Sequence, residues 1–128
     1  MQKNQKNKIG VIIQARMGAT RLPGKMTKKI GGRPALLHAI DRVKQIKKCD
    51  AVILATTDNK RDDVLEKIAK RENILVYRGS EDDVLDRYYQ AAEFHGLDTV
   101  VRITGDCLFL DANITQDVIK AYLIGNYD

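Results

Sequence analysis

The chain has 128 residues, 44% hydrophobic and 30% charged, with a net charge of +5, which fits one domain with a substantial core. No run approaches the ~20 apolar residues of a membrane span, and the first residues lack the apolar segment of a signal peptide. Cys49 and Cys107 are far apart and without metal-ligand spacing, so reduced thiols and a cytoplasmic location are expected.

In chain order, the Gln/Asn/Lys-rich residues 1–7 predict a flexible basic N-terminus, followed by an α/β domain over 8–128. Lys8–Ile13 predicts a first strand. Pro34 suits the first position of a helix, with Leu36, Ala39, Ile40, Val43 and Ile46 as its apolar stripe. Ala51–Ala55 predicts a second strand, and residues 62–71 a helix with Val64, Leu65, Ile68 and Ala69 turned inward. Ile74–Tyr77 follows as a third strand. Ser80-Glu81-Asp82-Asp83 has the form of a capping box, opening a helix that buries Val84, Leu85, Tyr88, Ala91 and Ala92. Thr99–Ile103 predicts a fourth strand and Asn113–Leu123 a last helix, with Ile114, Val118, Ile119 and Tyr122 as candidates for burial. Apolar strands alternating with amphipathic helices imply a mostly parallel sheet covered on both faces, a three-layer α/β/α architecture. Ligands of such sheets bind at the carboxyl ends of the strands, which places the loops after Ile13, Ala55, Tyr77 and Ile103 on one rim.

The first of these loops carries the strongest signal. Between Gln14 and Lys25 it holds two glycines, one proline, Arg16, Arg21 and Lys25, and no acid. Glycine lets backbone N–H groups approach a ligand, and the cations suit a polyphosphate. Residues 1–40 contain nine Lys/Arg and no Asp or Glu, whereas residues 41–128 carry a net charge of −4. This polarity points to an anionic ligand at one end and a bound cation at the other. Seven aromatics, not clustered on a basic stripe, argue against nucleic acid as the partner. Five residues separate Gly18 from Gly24, and Met26 stands where a P-loop requires Ser or Thr. The loop is therefore not a P-loop, and G-x-G-x-x-G is absent.

The stretch Ala15, Arg16, Thr20, Arg21, Leu22, Pro23, Gly24, Lys25 resembles the signature of cytidylyltransferases that activate acidic sugars, above all the acylneuraminate cytidylyltransferase-like proteins of the spore-coat polysaccharide type. Ala55-Thr56-Thr57-Asp58, the run from Arg78 to Tyr88, and Arg102-Ile103-Thr104-Gly105-Asp106-Cys107 match the same family in order. The resemblance implies a Rossmann-like nucleotide-diphospho-sugar-transferase fold. It also implies CTP and an acidic sugar as substrates, Mg²⁺ as cofactor, pyrophosphate as product and a homodimer in the full-length form. It places Arg16, Arg21 and Lys25 on the triphosphate, with Arg16 and Lys25 as catalytic residues and Ala15, Gly18 and Thr20 also on the nucleotide. Gly79 and Ser80 fall at the base pocket, Thr104 near the cytosine, and Asp106 on the metal. Prolines usual after the Gly-Asp pair are missing from Leu108-Phe109-Leu110-Asp111. Relatives also continue for a second half, so the chain resembles the nucleotide-binding portion of such an enzyme, with an incomplete fold.

Plainer readings stand beside these. Lys25 can be a solvated loop lysine, Arg16 and Arg21 can pair with acids of the later segment, and Asp106 can cap a turn. Glu81, Asp82 and Asp83 suit the N-terminus of a helix. A phospho-receiver module would need acids where Gln14-Ala15-Arg16 stands. A CTP-binding fragment without catalysis, and a relative that uses another nucleotide, are the alternative functions.

Overall fold

The computed structural model describes residues 6–127. Residues 1–5 of the expected basic terminus and Asp128 at the end of the expected domain lie outside the described residues. The elements in order are β1 (Ile9–Gln14), β2 (Lys29–Ile30), β3 (Arg33–Pro34), α1 (Ala35–Val43), β4 (Ala51–Thr57), α2 (Asp63–Arg71), β5 (Leu75–Gly79), α3 (Val84–Phe94), β6 (Thr99–Thr104) and α4 (Ala112–Ile124). Strands β5, β4, β1 and β6 form one parallel sheet in that spatial order.

Alternation along β1 explains the layers, because successive side chains of a strand point to opposite faces. Ile9, Val11 and Ile13 pack with Leu36, Ile40 and Val43 of α1, Leu65 and Ile68 of α2, and Ile119 of α4. Ile12 points the other way and packs with Ile53, Ala55, Tyr88 and Ala91, so α3 covers the second face. The result is the expected α/β/α arrangement. From β1 the chain moves outward to β4 and β5, then returns to the opposite side of β1 as β6. The loops after β1 and β6 therefore diverge at a topological switch point, where ligands of open α/β sheets bind.

Several details depart from the expectations. Pro34 is the N-cap of α1 rather than its first residue and lies in a small antiparallel hairpin of β2 and β3. Gly31 and Gly32 form its turn with φ of 58° and 80°, the positive values that a two-residue hairpin turn requires. The α3 N-cap is Asp83, whose carboxylate accepts from the Asp86 amide at 2.9 Å. Ser80 instead accepts from the Asp83 amide at 3.2 Å, so the turn begins one step before the helix and is not the predicted box. Leu85 is 77% exposed rather than buried, because Tyr88 and Ala91 already fill the face of α3 turned to the sheet. Val64 is also exposed. Of the four α4 residues expected inside, only Ile119 is buried; Ile114 is exposed, and Val118 and Tyr122 border an open groove against β6 that no further element covers among the described residues.

Candidate functional site

The loop after β1 is shaped by three backbone contacts. The Ala15 amide donates to the Ala55 carbonyl at 3.2 Å and so prolongs the β1–β4 ladder by one step. The Met17 amide donates to the Asp62 carboxylate at 2.7 Å. The Met17 carbonyl then accepts from the Gly24 amide at 3.0 Å, which closes the loop 17–24 on itself. A short 3-10 turn, Lys25–Thr27, follows, and its Met26 is buried in the main core.

The loop after β6 meets it from the other side. The Gly105 amide donates to the Gln14 carbonyl at 2.8 Å. A Cβ at Gly105 would lie 3.2 Å from that same carbonyl and 3.0 Å from the Ala15 side chain, so the two rim loops approach as closely as glycine permits. This approach sets Asp106 opposite Lys25, and their side chains join at 2.8 Å. The Lys25 ammonium, and after it the Thr104 hydroxyl, hold the Asp106 carboxyl below its ordinary range, because both stabilise its ionised form.

Around this pair opens a cleft of about 410 Å³ lined by Arg16, Thr20, Arg21, Lys25, Thr104 and Asp106, with Gln14 and Met26 deeper in. Six of the sequence-predicted residues thus converge although nearly 90 positions separate the first from the last. Ala15 is fully buried. Gly18, Gly79 and Ser80 stand outside the lining. Gly18 faces the Arg61 guanidinium, and Gly79 ends β5 on the far side of β4. Arg16 does approach an acid of the later segment: Glu81, at 3.9 Å, which also binds Arg61.

Two residues that sequence reasoning passed over lie beneath the rim. Asp62 is fully buried and bonds both Met17 and Thr57. Arg87 is fully buried under the β5–α3 loop and donates to the Ser80 carbonyl at 2.7 Å. Burial pushes its pKa down, and the neighbouring Arg16 charge acts in the same direction. Asp62 had no legible signal, because an Asp near a helix start looks like ordinary surface charge; Arg87 lies within the matched run from Arg78 to Tyr88, but nothing in that run marked it as buried.

Among the described residues no group of three or more His, Cys, Asp or Glu could hold a metal ion. Asp106 is the one carboxylate lining the cleft, and its side chain is half exposed there. That donor set fits Mg²⁺ of the kind that takes one or two carboxylates and completes its shell with phosphate oxygens and water.

A parallel sheet with reversed strand order and a cationic cleft at the switch point define an α/β protein of the nucleotide-handling class. The chain belongs to the cytidylyltransferase family, whose model matches residues 10–128. It is 39% identical to the spore coat polysaccharide biosynthesis protein SpsF of Bacillus subtilis over 91% of this chain and 50% of that protein. It is 32% identical to 3-deoxy-manno-octulosonate cytidylyltransferase 2 of Hydrogenovibrio crunogenus, over 92% of this chain and 48% of that one. A solved cytidylyltransferase from Leptospira borgpetersenii superposes with a TM-score of 0.89 at 39% identity, covering 94% of this chain and 50% of that one. The chain spans about half the length of the curated relatives it matches.

Proposed function

We propose that the protein transfers CMP from CTP to an acidic sugar of the 3-deoxy-2-keto or sialic-acid-like class, releasing pyrophosphate, for surface polysaccharide or glycan synthesis. The observation that carries this reading is the Lys25–Asp106 pair, which joins the two rim loops across a cleft holding Arg16 and Arg21. A triphosphate needs several cations on one side and a carboxylate to share a metal ion with its oxygens; the three cations and Asp106 of this cleft support that reading.

In the reaction an acceptor hydroxyl oxygen forms a bond to the α-phosphorus and gives up its proton to water, while the bond from that phosphorus to the bridging oxygen of the β-phosphate breaks. Negative charge develops on the bridging and leaving oxygens, so catalysis consists of positioning and preorganised positive charge. Arg16, Arg21 and Lys25 bind the phosphates, with Thr20 and the backbone at Ala15 and Gly18 as further contacts. Arg16 and Lys25 stabilise the charge that leaves with pyrophosphate. Thr104, in the cleft lining, contacts the cytosine, and Gly79 and Ser80 approach the nucleotide only from the β4–β5 side. Asp106 would hold Mg²⁺, which would supply charge neutralisation to the phosphate oxygens when bound. A homodimer of the whole protein and a cytoplasmic location belong to the same reading; no helix among the described residues is long and apolar enough to cross a membrane.

Calorimetric titration of CTP, UTP, ATP and GTP with and without Mg²⁺ tests the nucleotide. CTP with Mg²⁺ binds most tightly if the reading is right, and a preference for a purine overturns it. Pyrophosphate release from CTP with a panel of 3-deoxy-2-keto sugar acids then tests the acceptor.

A further inference from the structure

A carboxylate at the start of a helix ordinarily turns outward and accepts from the first free amides of that helix. Asp62 occupies the N-cap position of α2 and makes no such bond. Its side chain turns inward, is fully buried, and ends between the Met17 amide and the Thr57 hydroxyl. Burying a carboxylate is costly unless hydrogen bonds replace its water, and two donors do so here. Asp62 also lies close enough to the buried Arg87 to favour its charged form.

The identity of the first donor matters. Met17 sits between Arg16, which lines the cleft, and Gly18. Its carbonyl receives the Gly24 amide that closes the loop bearing Thr20 and Arg21 and leads into Lys25. One peptide position therefore ties both ends of the phosphate-facing loop, and Asp62 holds that position from 45 residues away in sequence. Thr57, at the end of β4, braces the other carboxylate oxygen and also accepts from the Asn59 amide at 3.1 Å. The β4 ladder is thereby connected, through one carboxylate, to the backbone of a loop whose Met17 side chain packs on the main core.

We propose that Asp62 is the positioning residue of the phosphate loop: by fixing the Met17 amide it sets the geometry of Arg16, Arg21 and Lys25 without touching the nucleotide. This inference rests on the reading of the cleft as a triphosphate site. It predicts a loss confined to phosphate recognition, because Arg16, Arg21 and Lys25 lie in or beside the 17–24 loop and in that reading contact phosphate alone.

The test compares the chain with Asp62→Ala and Asp62→Asn. Amide hydrogen exchange at Met17 and Gly24 is read by NMR, and affinities for CTP and for cytidine by calorimetry. In Asp62→Ala, exchange at both amides should rise at least about tenfold while β1 amides stay protected, and CTP affinity should fall about tenfold with cytidine affinity unchanged. Asp62→Asn keeps an oxygen acceptor for Met17 and should restore most of both. If Asp62→Ala does not fold, Thr57→Val carries the same comparison, since it removes the brace on the carboxylate. Unchanged exchange at Met17, or parallel losses for CTP and cytidine, would overturn the proposal. Failure of the unsubstituted chain to prefer CTP over cytidine would overturn the triphosphate reading instead, while the exchange data would still decide whether Asp62 clamps the loop.

Discussion

The two flanks of β1 are finished to different degrees. On the β4 side Ile53, Leu54 and Ala55 are fully buried, and α2 and α3 close over opposite faces of the strand. On the β6 side Val100 is 40% exposed, and Val118 of α4 is 63% exposed beside it. A shallow apolar groove runs between them, bordered by Val101, Ile119 and Tyr122. The cleft straddles this divide. Its cationic loop is clamped to the well-packed β4 side through Asp62 and anchored by Met26, whereas Asp106 comes from the open side. The difference teaches that the cationic half of the cleft rests on a closed core. The half that presents Asp106 rests on the β1–β6 ladder, on buried Ile103 and Ile119, and on the partly buried Val101, Cys107 and Leu110.

The largest effect that would sharpen this contrast is on stability. Leu54→Ala should cost about 2–5 kcal/mol, whereas Val118→Ala should stay within about 0.5 kcal/mol, both read from denaturant midpoints. Equal losses at the two positions would break the comparison.

Next in size is binding. Lys25→Ala should lower CTP affinity about 10- to 100-fold through the loss of a charge-assisted contact and leave cytidine affinity unchanged. Asp106→Asn should abolish the Mg²⁺ dependence of CTP binding without altering the circular dichroism spectrum, since its side chain is half exposed. A mutant that still requires Mg²⁺ would move the metal away from Asp106.

The smallest effect is a pH dependence. The Asp106 pKa is depressed in the folded chain by Lys25 and Thr104. Its contribution is therefore present above the ordinary value of 3.8 and is lost as pH falls through the lower folded value. Both partners are substantially solvated, so screening leaves a stabilisation of no more than about 1 kcal/mol. The stability gap between the chain and Asp106→Asn should be constant near neutrality and close below about pH 4. A gap that widens with acid would show that the pair does not stabilise the fold.

Much of the site was legible because its chemistry is concentrated. Arg16, Thr20, Arg21 and Lys25 lie within ten positions of one another, and Thr104 and Asp106 follow an apolar strand whose end the parallel-sheet rule places on the same rim. The placement of Gly79 and Ser80 was less informative, since the loop after β5 reaches the rim beyond β4 and outside the cleft lining. The Gly31-Gly32 turn could have been read as a hairpin from its two adjacent glycines, but flanking strands of two residues leave no alternation to detect.

By itself the sequence determined the order of the four sheet strands and the four helices, the buried stripe of α1, and the family. Each of these is written in short-range periodicity or contiguous motifs. Only the tertiary structure decided that Leu85, Ile114 and Val118 stay exposed, since amphipathic spacing marks an apolar stripe without saying what covers it. Only the tertiary structure joined Lys25 to Asp106 and Met17 to Asp62, across 81 and 45 positions. Contacts at such separations depend on strand order, and strand order follows from how the whole chain closes its core.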